Sequence, residues 1–176
     1  MKTLVTGGVR SGKSAQAERL LRSEPVVTYV APGPTPDEDA DPDWAARIAA
    51  HRARRPEGWL TLETRDLARA VRESEAPVLV DCLGTWLSAL LDEHGGWAVP
   101  TDEAARPVEA ALEEFVEALR ATTMAVVTVT NEVGMGIVPE HRSGRLFRDL
   151  LGRVNQRVAG ECDEVLLVVA GRTLRL

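Results

Sequence analysis

The chain has 176 residues, of which 44% are hydrophobic, and a formal net charge of -6. This length supports one well-buried core and is too short for two substantial domains, so we expect a single domain over residues 1–176. The negative charge argues against a general nucleic-acid surface, and the longest apolar runs are strand-sized, which argues against a membrane span. The composition therefore favours a small-molecule ligand.

The start of the chain and its two cysteines both fit a cytoplasmic protein. A strand-like run begins directly after Met1 and leaves no room for a signal peptide. Cys82 and Cys162 lack a C-x-x-C or Cys/His spacing suited to a metal, so both are predicted to be plain thiols.

Short β-branched runs alternate with amphipathic segments along the chain. The predicted strands are Thr3–Thr6, Val26–Ala31, Leu60–Leu62, Val78–Cys82, Val126–Thr130 and Val165–Ala170. The predicted helices are Ser14–Arg22, Trp44–Arg54, Asp66–Ser74, Thr85–Glu93, Glu103–Ala121 and Ser143–Ala159. This alternation predicts an α/β fold with a mostly parallel sheet. Gly171 allows a turn into a last strand, Thr173–Leu176, which we expect to lie antiparallel at the C-terminal edge.

A phosphate-binding sequence separates the first strand from the first helix. Residues 7–14 read G-x-x-x-x-G-K-S, the pattern of a P-loop, whose backbone N–H groups and following helix N-terminus surround a phosphate. We expect Lys13 to contact the β- and γ-phosphates and Ser14 to hold Mg²⁺. The predicted nucleotide-binding residues here are Gly7, Gly8, Val9, Arg10, Ser11, Gly12, Lys13 and Ser14.

Two segments interrupt the α/β pattern. Pro32–Asp43 contains four prolines and a run of acidic residues, which is typical of a solvated, mobile loop. Gly95–Thr101 contains Gly and Pro and is uncharged, which fits either a surface connection between helices or a contact with another subunit.

The second predicted helix carries a concentration of basic residues. At helical spacing, Arg47, His51, Arg54 and Arg55 would share one face. One interpretation is a solvated basic helix that balances the acidic loop before it. The other is a polyphosphate site, because each guanidinium offers a planar fork to phosphate oxygens.

His51 is the histidine best suited to chemistry. Neighbouring arginines disfavour the imidazolium form and leave a ring nitrogen lone pair free to attack phosphorus. His94, at an apparent helix end, and His141, in a loop, are weaker candidates.

Polar residues follow several predicted strands. Asp81 ends an apolar strand in the manner of a Walker-B carboxylate, which holds Mg²⁺ directly or through water, and Glu63 ends the third strand. Ligands of parallel α/β sheets lie at such strand ends. After the fifth strand comes a glycine-containing loop that we expect to line the site, with candidate substrate contacts at Asn131, Glu132, Gly134, Met135 and Gly136. The arginines of the following helix, Arg142, Arg145, Arg148 and Arg153, are expected to face solvent.

Three segments together resemble one known family. They are the P-loop, the sequence Arg-Ile-Ala-Ala-His-Arg-Ala-Arg-Arg-Pro at residues 47–56, and Asn-Glu-Val-Gly-Met-Gly-Ile-Val-Pro-Glu at residues 131–140. The chain is similar throughout to the bifunctional adenosylcobinamide kinase / adenosylcobinamide-phosphate guanylyltransferase family of cobalamin biosynthesis. It departs from the family's usual Ala-Thr turn after the second strand, where it has Ala31-Pro32-Gly33-Pro34.

The resemblance implies a RecA-like P-loop NTPase fold and a homotrimer. It implies two reactions that use ATP or GTP with Mg²⁺: phosphorylation of adenosylcobinamide, then transfer of GMP from GTP to adenosylcobinamide phosphate through a GMP-histidine intermediate. The position of that histidine matches His51, with Lys13 as the second catalytic residue. The implied nucleotide contacts outside the P-loop are Arg52, Ala53, Arg54, Arg55, Glu63 and Asp81.

Two other functions fit the residues alone. In an ordinary small-molecule P-loop kinase, His51 would be a surface residue and no covalent intermediate would form. In a non-enzymatic nucleotide-binding regulator, residues 131–140 would contact a protein partner.

Overall fold

The computed structural model describes residues 1–35 and 37–176, which form seven strands and six helices. The strands are β1 (Lys2–Gly7), β2 (Val27–Ala31), β3 (Trp59–Glu63), β4 (Val78–Asp81), β5 (Val126–Val129), β6 (Glu164–Val169) and β7 (Arg172–Arg175). The helices are α1 (Lys13–Leu20), α2 (Pro42–Ala53), α3 (Leu67–Glu73), α4 (Leu83–Glu93), α5 (Thr101–Ala121) and α6 (Arg142–Ala159).

The strands form one sheet in the order β3-β2-β4-β5-β1-β6-β7. All neighbouring pairs from β3 to β6 are parallel, and β7 is antiparallel to β6 at the edge. The predicted α/β class and the antiparallel C-terminal strand are confirmed. Predicted and observed boundaries differ by at most two residues; Cys82, for example, continues the apolar run of β4 but is the N-cap residue of α4.

The sheet order places the chemistry-bearing strand ends side by side. β1 and β4 both pair with β5, so Gly7 and Asp81 end at the same edge of the sheet, two strand positions apart. β2 lies on the other side of β4, and Glu63 ends the outermost strand, β3. The carboxyl edge therefore carries the P-loop, Asp81 and Glu63 in one row.

Apolar side chains fill both faces of the sheet. One face packs against α3, α4, α5 and α6 through a large cluster that includes Trp86 and Phe115. The other packs against α1 through a smaller cluster that includes Tyr29 and Leu79. No helix in the described ranges is long and apolar enough to cross a membrane.

Helix α2 is attached to this core differently from the other helices, because none of its residues is fully buried. It begins after Asp41, whose side chain accepts a hydrogen bond from the Asp43 N–H at 2.9 Å, and Pro42 occupies the first helical position. It ends at Ala53, and Arg55 precedes Pro56, which disfavours helical backbone at that position. A helix with little apolar anchorage thus presents His51 to the site.

Candidate active site

The P-loop connects β1 to α1 with free donors at the start of the helix. Gly12 is the N-cap, with φ of 96°, and neither a capping side chain nor an acidic residue occupies the first turn. The helix therefore begins with unpaired N–H groups and no competing carboxylate, as an anion site requires. The Lys13 ammonium donates to the Gly8 carbonyl at 3.2 Å, and burial lowers the pKa of Lys13 below its usual value.

Main-chain hydrogen bonds attach the P-loop to two other segments. The Gly7 carbonyl accepts from the Glu132 N–H at 3.1 Å, and the Ser11 carbonyl accepts from the Gly171 N–H at 2.8 Å. A Cβ on Gly7 would lie 2.4 Å from the Val168 carbonyl oxygen, so no larger residue fits there without a backbone shift. The loop conformation thus depends on the loop after β5 and on the β6–β7 turn.

Helix α2 faces the P-loop across a groove of about 850 Å³. P-loop residues 10–15 form one wall, and α2 and its C-terminus contribute Arg47, His51 and Arg54 to the other. The groove has the size of a small-molecule ligand site. Two arginines and one histidine therefore face the same groove as the P-loop backbone.

His51 contacts Asp81, the carboxylate at the end of β4. Its Nδ1 lies 3.6 Å from Oδ2 of Asp81, and the two side chains are 21% and 7% exposed. The Tyr29 hydroxyl donates to the same Oδ2 at 2.7 Å. Burial acts to raise the pKa of Asp81, but the nearby polar groups of His51, Tyr29 and Ser14 outweigh it and leave the pKa below its usual value. Asp81 is therefore held as a carboxylate between the P-loop and α2.

The predicted charge environment of His51 needs a correction. The sequence predicts only arginines near the ring, whereas the structure places the Asp81 carboxylate against Nδ1. The prediction that Arg47, His51, Arg54 and Arg55 share one face is wrong for Arg55: α2 ends at Ala53, and Arg47, His51 and the C-cap residue Arg54 line the groove, whereas Arg55 stacks on Tyr29.

Each arginine of this region has its own partner. The Arg47 guanidinium lies 5.9 Å from the centre of the Trp44 ring, and Arg54 donates to Glu18 at 3.1 Å. Arg52 pairs with Glu63. The Arg55 guanidinium lies 3.5 Å from the centre of the Tyr29 ring. As a result Arg47 and Arg54 line the P-loop groove, whereas Arg52 and Arg55 lie on the other side of α2.

A small cavity of about 70 Å³ lies on that other side, between α2 and the ends of β2, β3 and β4. Its walls include Tyr29, Trp44, Ile48, Glu63 and Thr85. Trp44, Arg47 and His51 line both this cavity and the groove, so α2 separates the two spaces. Glu63 reaches the cavity together with its partner Arg52, and Asp81 is the second carboxylate in its lining.

The loop after β5 starts beside the P-loop. The Thr130 hydroxyl donates to Asn155 Oδ1, and the Asn155 amide donates to the Asn131 carbonyl at 3.0 Å. Glu132 accepts from the Gly134 N–H and so closes a tight turn. Met135 and Ile137 beyond it are 81% and 95% exposed. The base of this loop adjoins the phosphate site and its tip presents apolar side chains to solvent; substrate contact by the loop stays a prediction.

The arginines at the start of α6 do not simply face solvent as predicted. Arg148 donates to the carbonyls of Gly134, Gly136 and Ile137 at 2.8, 3.2 and 3.1 Å. Arg145 donates to the carbonyls of Pro139 and Glu140. Backbone carbonyls of a loop rich in glycine and proline have few other donors nearby, which explains these contacts. Of the four arginines, Arg153 alone forms an exposed ion pair, with Glu109.

The interrupting segments have defined contacts. Pro32–Asp43 contains Pro36, which lies outside the described residues; within the rest, Glu38 accepts from Arg65 at 2.9 Å. Gly95–Thr101 connects α4 to α5, and Arg142 donates to its Trp97 and Val99 carbonyls. Its alternative role in a subunit contact stays a prediction.

The remaining histidines lie at helix ends. His94 is the C-cap of α4 and His141 the N-cap residue of α6, and neither side chain is among the described residues that line the groove or the cavity.

Sequence reasoning missed Tyr29. It occupies a strand position that reads as ordinary core, and only the pairing of β2 with β4 brings its hydroxyl to Asp81. The one available signal is chemical: a buried tyrosine hydroxyl needs a hydrogen-bond partner.

Known proteins are similar to this chain over nearly its whole length. Residues 3–176 match the family described as cobinamide kinase / cobinamide phosphate guanyltransferase. The chain is 44% identical to the bifunctional adenosylcobalamin biosynthesis protein CobU of Salmonella typhimurium, over 97% of each chain. It is 37% identical to CobP of Pseudomonas aeruginosa, which bears the same description, over 100% of this chain and 97% of that protein.

A solved structure supports the fold. The chain superimposes with a TM-score of 0.57 and 9% identity on the ATPase EscN of the enteropathogenic E. coli type III secretion system, covering 96% of this chain and 43% of that one. With the P-loop between β1 and α1 and a P-loop NTPase among its structural neighbours, the fold is the one that the resemblance implied. On the near-complete sequence match, the chain belongs to the cobinamide kinase / cobinamide phosphate guanyltransferase family.

Proposed function

We propose that this protein phosphorylates adenosylcobinamide with a nucleoside triphosphate and then transfers GMP from GTP to adenosylcobinamide phosphate. The second reaction proceeds through a GMP-His51 intermediate and yields adenosylcobinamide-GDP and pyrophosphate. The observation that carries the proposal is the position of His51, which shares the 850 Å³ groove with Lys13 and Ser14 and has Nδ1 against Asp81.

This geometry supports guanylyl transfer through His51. With Nδ1 facing Asp81, the opposite ring nitrogen, Nε2, carries the lone pair that attacks the α-phosphorus of GTP. The Nε2–P bond forms while the bond from the α-phosphorus to the bridging oxygen breaks, and pyrophosphate leaves with the electron pair. A phosphate oxygen of adenosylcobinamide phosphate then displaces His51. Lys13, Arg47 and Arg54, which line the groove, stabilise the phosphate charges.

In the kinase reaction the P-loop aligns the γ-phosphate with the acceptor hydroxyl, and catalysis consists mostly of alignment and electrostatics. Ser14 and Asp81 fit a Mg²⁺ site, because a hydroxyl at the start of α1 and a carboxylate at the end of β4 are oxygen donors of the kind that Mg²⁺ prefers and are close enough for Ser14 to affect the pKa of Asp81. When bound, Mg²⁺ neutralises charge on the transferring phosphates. The predicted contacts of Arg52, Ala53, Arg55 and Glu63 would then concern parts of the nucleotide other than its phosphates, because Arg52, Arg55 and Glu63 line the cavity across α2.

Labelled nucleotide tests the proposal. We expect GTP labelled at the α-phosphate to label the protein covalently and reversibly, with an acid-labile bond, and GTP labelled at the γ-phosphate to leave no covalent label. His51→Ala should abolish the label, whereas the matched variants His94→Ala and His141→Ala should keep it. Phosphorylation of cobinamide without any covalent label would identify an ordinary P-loop kinase. No turnover of cobinamide at all would identify a nucleotide-binding regulator.

The homotrimer implied by the family resemblance is part of the proposal. Its support is an exposed apolar sheet edge, where Leu60 and Leu62 of β3 are accessible. Light scattering coupled to size-exclusion chromatography should give three times the 19.1 kDa chain mass. A monomer mass at all protein concentrations would contradict it.

A further inference from the structure

The Tyr29 hydroxyl shares one carboxylate oxygen with His51. Tyr29 is 1% exposed, and its hydroxyl donates to Oδ2 of Asp81 at 2.7 Å, the oxygen that lies 3.6 Å from His51 Nδ1. In the sheet Tyr29 pairs with Leu79, two residues before Asp81. Since side chains two apart on a strand point to the same face, Tyr29 and Asp81 lie on the same side of the sheet. The contact is thus built into the β2–β4 register.

The Tyr29 ring is itself fixed. The Arg55 guanidinium lies 3.5 Å from the centre of the ring, and the same guanidinium donates to the Thr61 hydroxyl at 2.6 Å. A stacked guanidinium attracts the ring face and limits its movement. Arg55, Tyr29, Asp81 and His51 therefore form a continuous chain of contacts from β3 to the groove.

A carboxylate attached by a single bond can present either oxygen to a neighbour unless a second contact selects one of them. Here the Tyr29 hydrogen bond is the shorter of the two contacts to Oδ2, and it comes from the rigid sheet, whereas His51 comes from a helix with no fully buried residue. Tyr29 therefore fixes the orientation of the Asp81 carboxylate, and the carboxylate fixes the orientation of the His51 ring. Outer hydrogen-bond partners orient catalytic histidines in the same way.

We propose that Tyr29 is a positioning residue for guanylyl transfer: its hydroxyl fixes Asp81 so that Oδ2 faces Nδ1 of His51 and Nε2 is left for the phosphorus. This inference rests on the proposed function, in which His51 accepts GMP. Tyr29 itself does not touch the reacting atoms.

Tyr29→Phe tests this role, because it removes one hydroxyl and keeps the ring that packs under Arg55. We expect the single-turnover rate of His51 labelling by α-labelled GTP at saturation to fall about tenfold or more, as for a lost hydrogen bond to a charged group, while the KM for GTP stays within about twofold. The matched control is Thr28→Val, since Thr28 is the neighbouring residue on β2 and its hydroxyl bonds to Ser74 at 2.8 Å, away from the groove. This control should label at the native rate.

The outcomes separate the two proposals. Labelling of Tyr29→Phe at the native rate overturns the positioning role alone. An equal loss in Thr28→Val, or a rise in KM with an unchanged saturated rate, overturns it as well, since strand stability or nucleotide binding would then explain the loss. Absence of label in the native protein overturns the GMP-His51 proposal and with it the role of Tyr29.

Discussion

Nδ1 of His51 and Oδ2 of Asp81 lie 3.6 Å apart, and this contact joins α2 to the end of β4. Asp81 therefore lies against the proposed nucleophile and near enough to Ser14 of the P-loop for Ser14 to affect its pKa. Under the proposed function, both reactions would use the phosphate-binding residues of this groove in turn, and Asp81 would serve each of them.

Asp81→Asn should impair labelling of His51. The amide preserves size but loses the charge that orients Nδ1–H, so we expect labelling to slow by about 10- to 100-fold, the range seen when an outer partner of a histidine is changed. Rapid-quench measurement with α-labelled GTP gives the rate. Asp102→Asn, at the exposed start of α5, is the control and should label normally. Native-rate labelling in Asp81→Asn would show that the contact has no part in the reaction.

Gly7→Ala should destabilise the protein, whereas Gly8→Ala should not. An added Cβ at Gly7 would meet the Val168 carbonyl at 2.4 Å and Ser11 Oγ at 2.7 Å, while one at Gly8 would meet no atom within 4 Å. We expect the free energy of unfolding to fall by about 1–3 kcal/mol in Gly7→Ala, as for other overpacked sites. Urea denaturation measures both variants. Equal midpoints would mean that the backbone near β6 adjusts without cost.

Arg148→Ala should weaken use of the corrinoid acceptor. The variant removes three hydrogen bonds to the loop carbonyls of residues 134–137 and leaves the P-loop untouched. We expect the KM for adenosylcobinamide phosphate to rise about tenfold, with the rate of His51 labelling by GTP unchanged. Steady-state kinetics with varied acceptor gives the first value.

The control for that variant is Arg153→Ala, one helical turn and a little further along α6. Its ion pair with Glu109 is exposed on both sides, and exposed pairs contribute little. An equal rise in KM in both variants would point to a general effect on α6 and not to the loop.

Both cysteines should react slowly in the folded protein. Burial, with Asp163 and Glu161 nearby, raises the pKa of Cys162 to about 12, and burial likewise raises the pKa of Cys82. Since only the thiolate reacts, we expect slow modification by a disulfide reagent at pH 8.5 and fast modification in denaturant. A fast phase of one thiol in the native protein would contradict this, and Cys162→Ser would assign it.

The raised pKa of Cys162 also makes the stability of the folded protein depend on pH. The folded state holds the Cys162 proton more tightly than the unfolded chain, so the stabilising effect is complete below the unfolded pKa of about 8.5 and declines as the pH rises toward 12.

Much of the fold could be predicted from local sequence patterns. Alternating apolar runs outlined every strand and helix, and the G-x-x-x-x-G-K-S spacing located the P-loop, because these features depend on neighbours in sequence. Asp81 was also found from its place at the end of an apolar run. Its partners were not found, since Tyr29 and His51 meet it only through the strand order β2-β4 and the placement of α2.

The errors concern long polar side chains. The helical wheel placed Arg55 on the face of His51, but Pro56 ends the helix and Arg55 turns to Tyr29. Arg148 was expected to face water, yet it satisfies three carbonyls of a loop that precedes it in the chain. A flexible side chain with five donors selects among acceptors that only the tertiary structure brings together.

The hydrogen bond from the Gly171 N–H to the Ser11 carbonyl makes the final hairpin a structural support of the phosphate cradle. Residues near the C-terminus, far from the P-loop in sequence, thereby help to hold the P-loop in its conformation. A substitution of Gly171, which has left-handed backbone at φ 75°, would therefore weaken triphosphate binding before it unfolded the protein.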